Sequence, residues 1–313
     1  MNNFTNKNKF LQYELWKDCC IGCSFCLNKG QPDINKIDSL KFVLEKLDDP
    51  EVDEYNEIGF IGGEFFNREI ADEKVRELFY KLFEKCAVKV NENKLDKIYV
   101  TSALIYDRSK YLVPFLEYLK ELKILDKVLL CTSYDIEYRF HTKEREDLWK
   151  ENMLFLSKNY PELKKHTETI LTQSFINAVL EDNFSITDFC NTYNTRMDYI
   201  EPASGFYYHN KVDCSKDMPN FFPTRSSFIK FLKKVAVDKK EIDLRTFLSM
   251  EIRSEKLYYA DLGIRYTSEN RRQTDGSCTP HAKDIHYEYG FIDSKEKMAM
   301  IARQLFLTVG EQE

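Results

Sequence analysis

Six short strand-like runs alternate with stretches of helical periodicity along this chain, and the alternation is what narrows its fold most. The runs are Leu11 to Trp16, Ile58 to Ile61, Lys97 to Ser102, Lys127 to Thr132, Thr167 to Thr172 and the weaker Met197 to Ile200. After the first interval they recur roughly 30 to 40 residues apart, which leaves room for a helix between successive strands. After Asp38, a plausible N-cap, Leu40, Val43, Leu44 and Leu47 fall at helical spacing and stop before Pro50. Val75, Leu78, Phe79, Leu82, Phe83 and Cys86 form a second apolar stripe, which makes Cys86 a core thiol. Further helices are predicted over Tyr111 to Lys123 and around Asp147 to Lys158, and Cys131 reads as core in the fourth strand. Such alternation builds right-handed β/α units on parallel strands, with reactive groups gathered at the strands' C-terminal ends.

The first strand runs into Asp18-Cys19-Cys20-Ile21-Gly22-Cys23-Ser24-Phe25-Cys26, four thiols in one loop, which marks a metal or cluster site. Read from Cys19 the spacing is C-x3-C-x2-C, supplying three thiolates, so a four-iron cubane held there keeps one iron open. Read from Cys20 it is C-x2-C-x2-C, a ferredoxin-like frame that normally brings a further Cys a few residues on, often followed by Pro. Leu27-Asn28-Lys29-Gly30 contains neither, so Cys19 is the preferred ligand and Cys20 is expected to point away. Three close Cys also suit half of a zinc site, but structural zinc usually closes with four ligands from paired clusters, and no second pair is near. The second strand ends in Gly62-Gly63-Glu64. Glycines let backbone carbonyls approach a ligand, and a carboxylate at a strand end accepts hydrogen bonds from a cationic amino group.

C-x3-C-x2-C with an aromatic, Phe25, directly before the last Cys resembles the signature of the radical S-adenosylmethionine (radical SAM) enzymes. Gly62-Gly63-Glu64 resembles that family's GGE motif. The resemblance implies an α/β fold, a partial (β/α)6 radical SAM barrel over residues 1–203, with an aromatic-rich extension over 204–313 that closes the barrel and contributes to substrate binding. It implies that Cys19, Cys23 and Cys26 hold a [4Fe-4S] cluster whose fourth iron is chelated by SAM. Phe25 would lie near the adenine, Gly62 and Gly63 would flank SAM, and Glu64 would anchor it. Ser102, Ser133 and Asp135 fall at strand ends on the same face. Cys131-Thr132-Ser133-Tyr134-Asp135 followed by His141-Thr142-Lys143-Glu144-Arg145 is similar to the S-x-D and H-x-x-x-R stretch of peptide-modifying maturases. That similarity brings Ser133 and Asp135 to the SAM ribose and Arg145, with Arg139 as rival, to its carboxylate through a bidentate pair. A solvated, charge-rich helix entrance is the alternative for either arginine.

Beyond about residue 200 come Phe206-Tyr207-Tyr208 and Phe221-Phe222-Pro223, a helix near Ser226 to Val237, Cys214 and Cys278-x2-His281. With Cys190, these could supply an auxiliary cluster or zinc, as in maturases with SPASM or twitch extensions. The auxiliary sites of those families use denser Cys groups, so isolated thiols in a lid or core are the favoured account, and Cys278 as a hydrogen-atom donor to a substrate radical is a third.

The activity so implied is reductive cleavage of SAM to methionine and a 5′-deoxyadenosyl radical that abstracts hydrogen from a substrate, with an external one-electron donor such as flavodoxin or ferredoxin. A peptide or protein substrate is favoured, with a nucleoside, nucleic acid or small metabolite as alternative. Two other classes remain open: a noncatalytic iron–sulfur electron carrier and a zinc-binding interaction module. The formal net charge of −6 argues against nonspecific nucleic-acid binding. With 43% hydrophobic and 31% charged residues the chain reads as a soluble protein without an apolar run near the roughly 20 residues of a membrane span. Met1 to Lys9 is polar and lacks a signal-peptide core, so a cytoplasmic location with reduced thiols is expected.

Overall fold

A computed structural model describes residues 9–26, 35–200 and 283–288, with positions 220, 221, 227, 230, 231 and 234. Strands β1 (Lys9–Glu14), β2 (Glu57–Ile61), β3 (Lys97–Thr101), β4 (Val128–Ser133), β5 (Lys164–Ile170) and β6 (Arg196–Ile200) lie side by side in chain order, each neighbouring pair parallel. β7 (Lys283–Glu288) pairs antiparallel with the other edge of β1. Helices α1 (Lys36–Lys46), α2 (Glu73–Asn91), α3 (Leu112–Glu121), α4 (Lys143–Asn159), α5 (Gln173–Leu180) and α6 (Ile186–Tyr193) occupy the crossovers. The protein is thus α/β with a parallel six-strand sheet alternating with helices, an arrangement compatible with a partial barrel.

Register explains why the strands assemble this way. Leu11 and Tyr13 pair with Ile58 and Phe60, these with Ile98 and Val100, and these in turn with Val128 and Leu130, so buried apolar rows run across four strands on one face. Phe60 meets Phe83 of α2, and Phe79 and Phe83 meet Phe115 of α3. Thr132, two residues on from Leu130, accepts a 3.0 Å hydrogen bond from Trp149 of α4, so α4 covers the same face. Opposite parity is polar: Glu57 of β2 pairs with Lys97 of β3 at 2.8 Å and accepts from the Tyr99 hydroxyl at 2.7 Å.

Boundaries shift where capping chemistry decides them. α1 begins at Lys36 because the Asn35 side chain accepts from the amides of Ile37 and Asp38; Asp38 is not the cap but an acid in the first turn, where the helix dipole favours it. Thr142 caps α4 a turn ahead of Asp147. The β5–β6 crossover holds two helices of 8 residues each, capped by Thr172 and Ser185, too short to show a periodic stripe in sequence. β7 had no sequence signal either, since its partner lies far away in the chain. Cys86 is fully buried in α2 and Cys131 is buried in β4. Among the described residues no helix is long and apolar enough to cross a membrane.

Candidate functional site

The parallel pairing of β1 and β2 does not stop where the strands end. The Leu15 amide donates to Ile61 O at 2.9 Å, the Gly63 amide to Trp16 O at 2.8 Å and the Glu64 amide to Asp18 O at 3.3 Å. A Cβ on Gly62 would lie 2.3 Å from Trp16 O, and one on Gly63 would lie 1.8 Å from Asp18 O. Both glycines are therefore required by the chain's own backbone, which enters the cysteine loop directly against them. Trp16 adds a 3.2 Å bond from its indole N–H to Glu64 O and stacks edge-on against Phe65. Phe65 and Phe66 are buried among Trp16, Phe79 and Phe115, and these rings pin the turn after the glycines.

Within the loop the adjacent thiols part. Cys23 is buried, Cys19 and Cys26 are half-buried, and Cys20 is exposed. Burial, opposed by the Ile21 amide and aided by Glu64, Cys23 and Cys26, raises the Cys19 thiol to about 12, so Cys23 and Cys26 lie within electrostatic reach of Cys19. The Cys20 thiol is raised to about 11 by burial and then by Glu69, with Arg68 opposing. Its Sγ accepts from Asn67 Nδ2 at 2.9 Å, and its amide donates to Glu69 Oε1 at 2.9 Å. Among the described residues no three Cys, His, Asp or Glu side chains are gathered closely enough to hold a metal ion.

The loop after β4 wraps the cysteine loop. Ser24 N–H donates to Tyr138 O at 3.1 Å, and Arg145 Nη2 donates to Ile21 O at 2.6 Å. His141 Nε2 meets Gly22 O at 2.9 Å, with Gly22 in the left-handed region at φ +68° and His141 itself at φ +62°. Arg139, 5% exposed, points Nη1 at Cys23 Sγ across 3.7 Å. Asp135, 1% exposed, accepts at Oδ1 from the amides of Glu137 and Tyr138. Its Oδ2 and Arg139 Nε have no hydrogen-bond partner among the described residues, two buried polar atoms with capacity to spare, the second on the arginine aimed at Cys23. Burial holds the Asp135 carboxyl above its usual range, against its two amide donors and Arg139.

Glu64 is fully buried, and its carboxylate is already bonded within the protein. Oε1 accepts from the amides of Phe65 and Phe66 at 2.9 Å and from Ser102 Oγ at 3.0 Å, while Oε2 accepts from the Ala103 amide at 2.6 Å. Burial nevertheless raises its pKa to about 7, against those donors. Ser102 also meets the Tyr106 hydroxyl at 2.7 Å. Glu64 and Ser102 thus tie the end of β2 to the end of β3.

Of the residues singled out in the sequence, Cys23 and Cys26 lie within electrostatic reach of Cys19 without forming a closed metal-binding group, Gly63 packs directly against Asp18 and Cys19, and Ser102 joins through Glu64. Ser133 is half-buried at the end of β4. Arg145 holds a backbone carbonyl of the loop, and Arg139 is the arginine aimed at a thiol. Phe25 stacks on Phe221 at 6.3 Å, and Phe221 also lies against Tyr138. Cys190 is half-buried on α6, packed on the core; Cys214, Cys278 and His281 lie outside the described residues. Asn67, Glu69 and Tyr138 carried no spacing pattern, and only the fold brings them to the loop. The chain matches no protein-family model, and no curated protein matches it.

Proposed function

We propose that the protein is a radical SAM enzyme. The observation that carries this reading is the arrangement at the end of β1: Cys19 lies within electrostatic reach of Cys23 and Cys26 while Cys20 is exposed and bonded to Asn67, all beside a Gly-Gly-Glu turn at the C-terminal end of a parallel sheet. Three thiolates suit a [4Fe-4S] cluster with one open iron better than a closed four-ligand zinc site. Cys19, Cys23 and Cys26 would hold the cluster, which would supply one-electron reduction of SAM and so the radical chemistry for hydrogen abstraction from a substrate.

This chain's own residues would prepare that step. Arg139 donates toward the Cys23 sulfur, and Arg145, His141 and Tyr138 fix the loop backbone. Asp135 Oδ2 and Arg139 Nε offer an acceptor and a donor to the polar groups of SAM. Glu64, by contrast, orders the loops through its internal bonds. The electron comes from an external carrier such as flavodoxin or ferredoxin, the substrate favoured is a peptide or protein, and the setting is the cytoplasm.

Anaerobic reconstitution with iron and sulfide, followed by dithionite and SAM, tests the proposal. It should yield 5′-deoxyadenosine without added substrate. Brown protein that leaves SAM intact would point to an electron carrier, and colourless protein that retains zinc to an interaction module.

A further inference from the structure

We propose that Asn67 and Glu69 select which of the two adjacent thiols joins the donor set, holding Cys20 outward and so committing Cys19 to the site with Cys23 and Cys26. The inference rests on the reading of the loop as a cluster site. Chemically the two thiols are equivalent, they are neighbours, and each completes an acceptable spacing with Cys23 and Cys26. A loop free to rotate its peptide would present either one.

The asymmetry comes from a turn elsewhere in the chain. Glu69 is 3% exposed and takes the Cys20 amide on Oε1, with Arg68 Nε at 3.4 Å on the same oxygen. That bond fixes the peptide between Cys19 and Cys20. Asn67 then donates to the Cys20 sulfur, giving the thiol a partner away from the site. Phe65 and Phe66, buried immediately upstream, hold this turn in place, so it is anchored independently of the loop. Among the described residues the second oxygen of Glu69 has no hydrogen-bond partner, which leaves Cys20 and Arg68 as what this buried carboxylate serves.

The full chain, loaded anaerobically with ferrous iron and sulfide, is treated with N-ethylmaleimide and digested with trypsin. The peptide Asp18 to Lys29 carries all four thiols, and fragmentation locates the label. Loaded wild type should carry label on Cys20 alone. Glu69→Ala should divide it between Cys19 and Cys20, while Glu69→Gln, which keeps an oxygen for the Cys20 amide, should restore the single label. Circular dichroism of the unloaded proteins checks the fold, and Asn67→Ala, which removes only the sulfur's donor, replaces Glu69→Ala if that variant unfolds. Label on Cys19 with Cys20 protected, a single Cys20 label in Glu69→Ala, or matching maps for the Ala and Gln variants would overturn the selection. Label on all four thiols of loaded wild type would instead overturn the cluster reading itself.

Discussion

The carbonyl oxygen of Asp18 occupies the place where Gly63 would carry a side chain, 1.8 Å from an ideal Cβ. No rotamer relieves such a contact, because the position of a Cβ is set by the backbone and its neighbour is a backbone carbonyl. The entrance to the cysteine loop and the turn after β2 are therefore one joined structure, and the position of Cys19 depends on the absence of atoms at residue 63.

Gly63→Ala should accordingly separate the two segments and break the bonds from Gly63 N–H to Trp16 O and from Glu64 N–H to Asp18 O. We expect a loss of about 3 kcal/mol or more in chemical denaturation, with reduced iron retention after reconstitution. An unchanged midpoint would show that the segments part at no cost.

Glu64→Ala removes the acceptor for three backbone amides and the Ser102 hydroxyl, all buried. At roughly 1 to 3 kcal/mol for each unsatisfied buried group, partly relieved by relaxation, the cost should reach roughly 3 to 6 kcal/mol. Thermal melting of the unloaded protein measures it. A variant that melts like wild type would return Glu64 to the role of a ligand anchor alone.

Glu64 also predicts a pH dependence. Its folded pKa of about 7 lies above the ordinary 4.5, so the folded state holds the proton more tightly than the unfolded chain. The resulting stabilisation is fully present below about 4.5 and is lost as pH rises to about 7. The stability difference between wild type and Glu64→Gln should therefore fall between pH 5 and pH 8, by on the order of 3 kcal/mol at most. Parallel curves for the two proteins would contradict it.

Cys19→Ala should abolish iron retention and the brown absorbance of the reconstituted protein, whereas Cys20→Ala should keep both. Iron and sulfide analysis after desalting distinguishes them, and the reverse result would exchange the roles of the two thiols.

The sequence made the α/β alternation readable because strands and helices leave local periodicities of different length, and the apolar rows through Leu11, Ile58, Ile98 and Val128 follow from them. α5 and α6 escaped notice because two turns are too short for a stripe, and β7 because antiparallel pairing with β1 is a nonlocal event. At the site, Cys19, Cys23, Cys26 and Gly62-Gly63-Glu64 stood out through spacing. The purpose of the glycines did not, since a close approach between Asp18 and Gly63 exists only once β1 and β2 are paired.

What the sequence determined by itself is the donor chemistry and its frame: three thiols at C-x3-C-x2-C, no fourth nearby, and a carboxylate after two glycines at the next strand end. What only the tertiary structure decided is which partners those groups meet. Cys20 is turned out by Asn67 and Glu69, Cys23 faces Arg139, and Glu64 is tied to the Ala103 amide. The reason is physical: hydrogen bonds and burial act through space at about 3 Å, and residues 39 to 116 positions apart in the chain reach that range or close to it only when parallel strands bring their ends together.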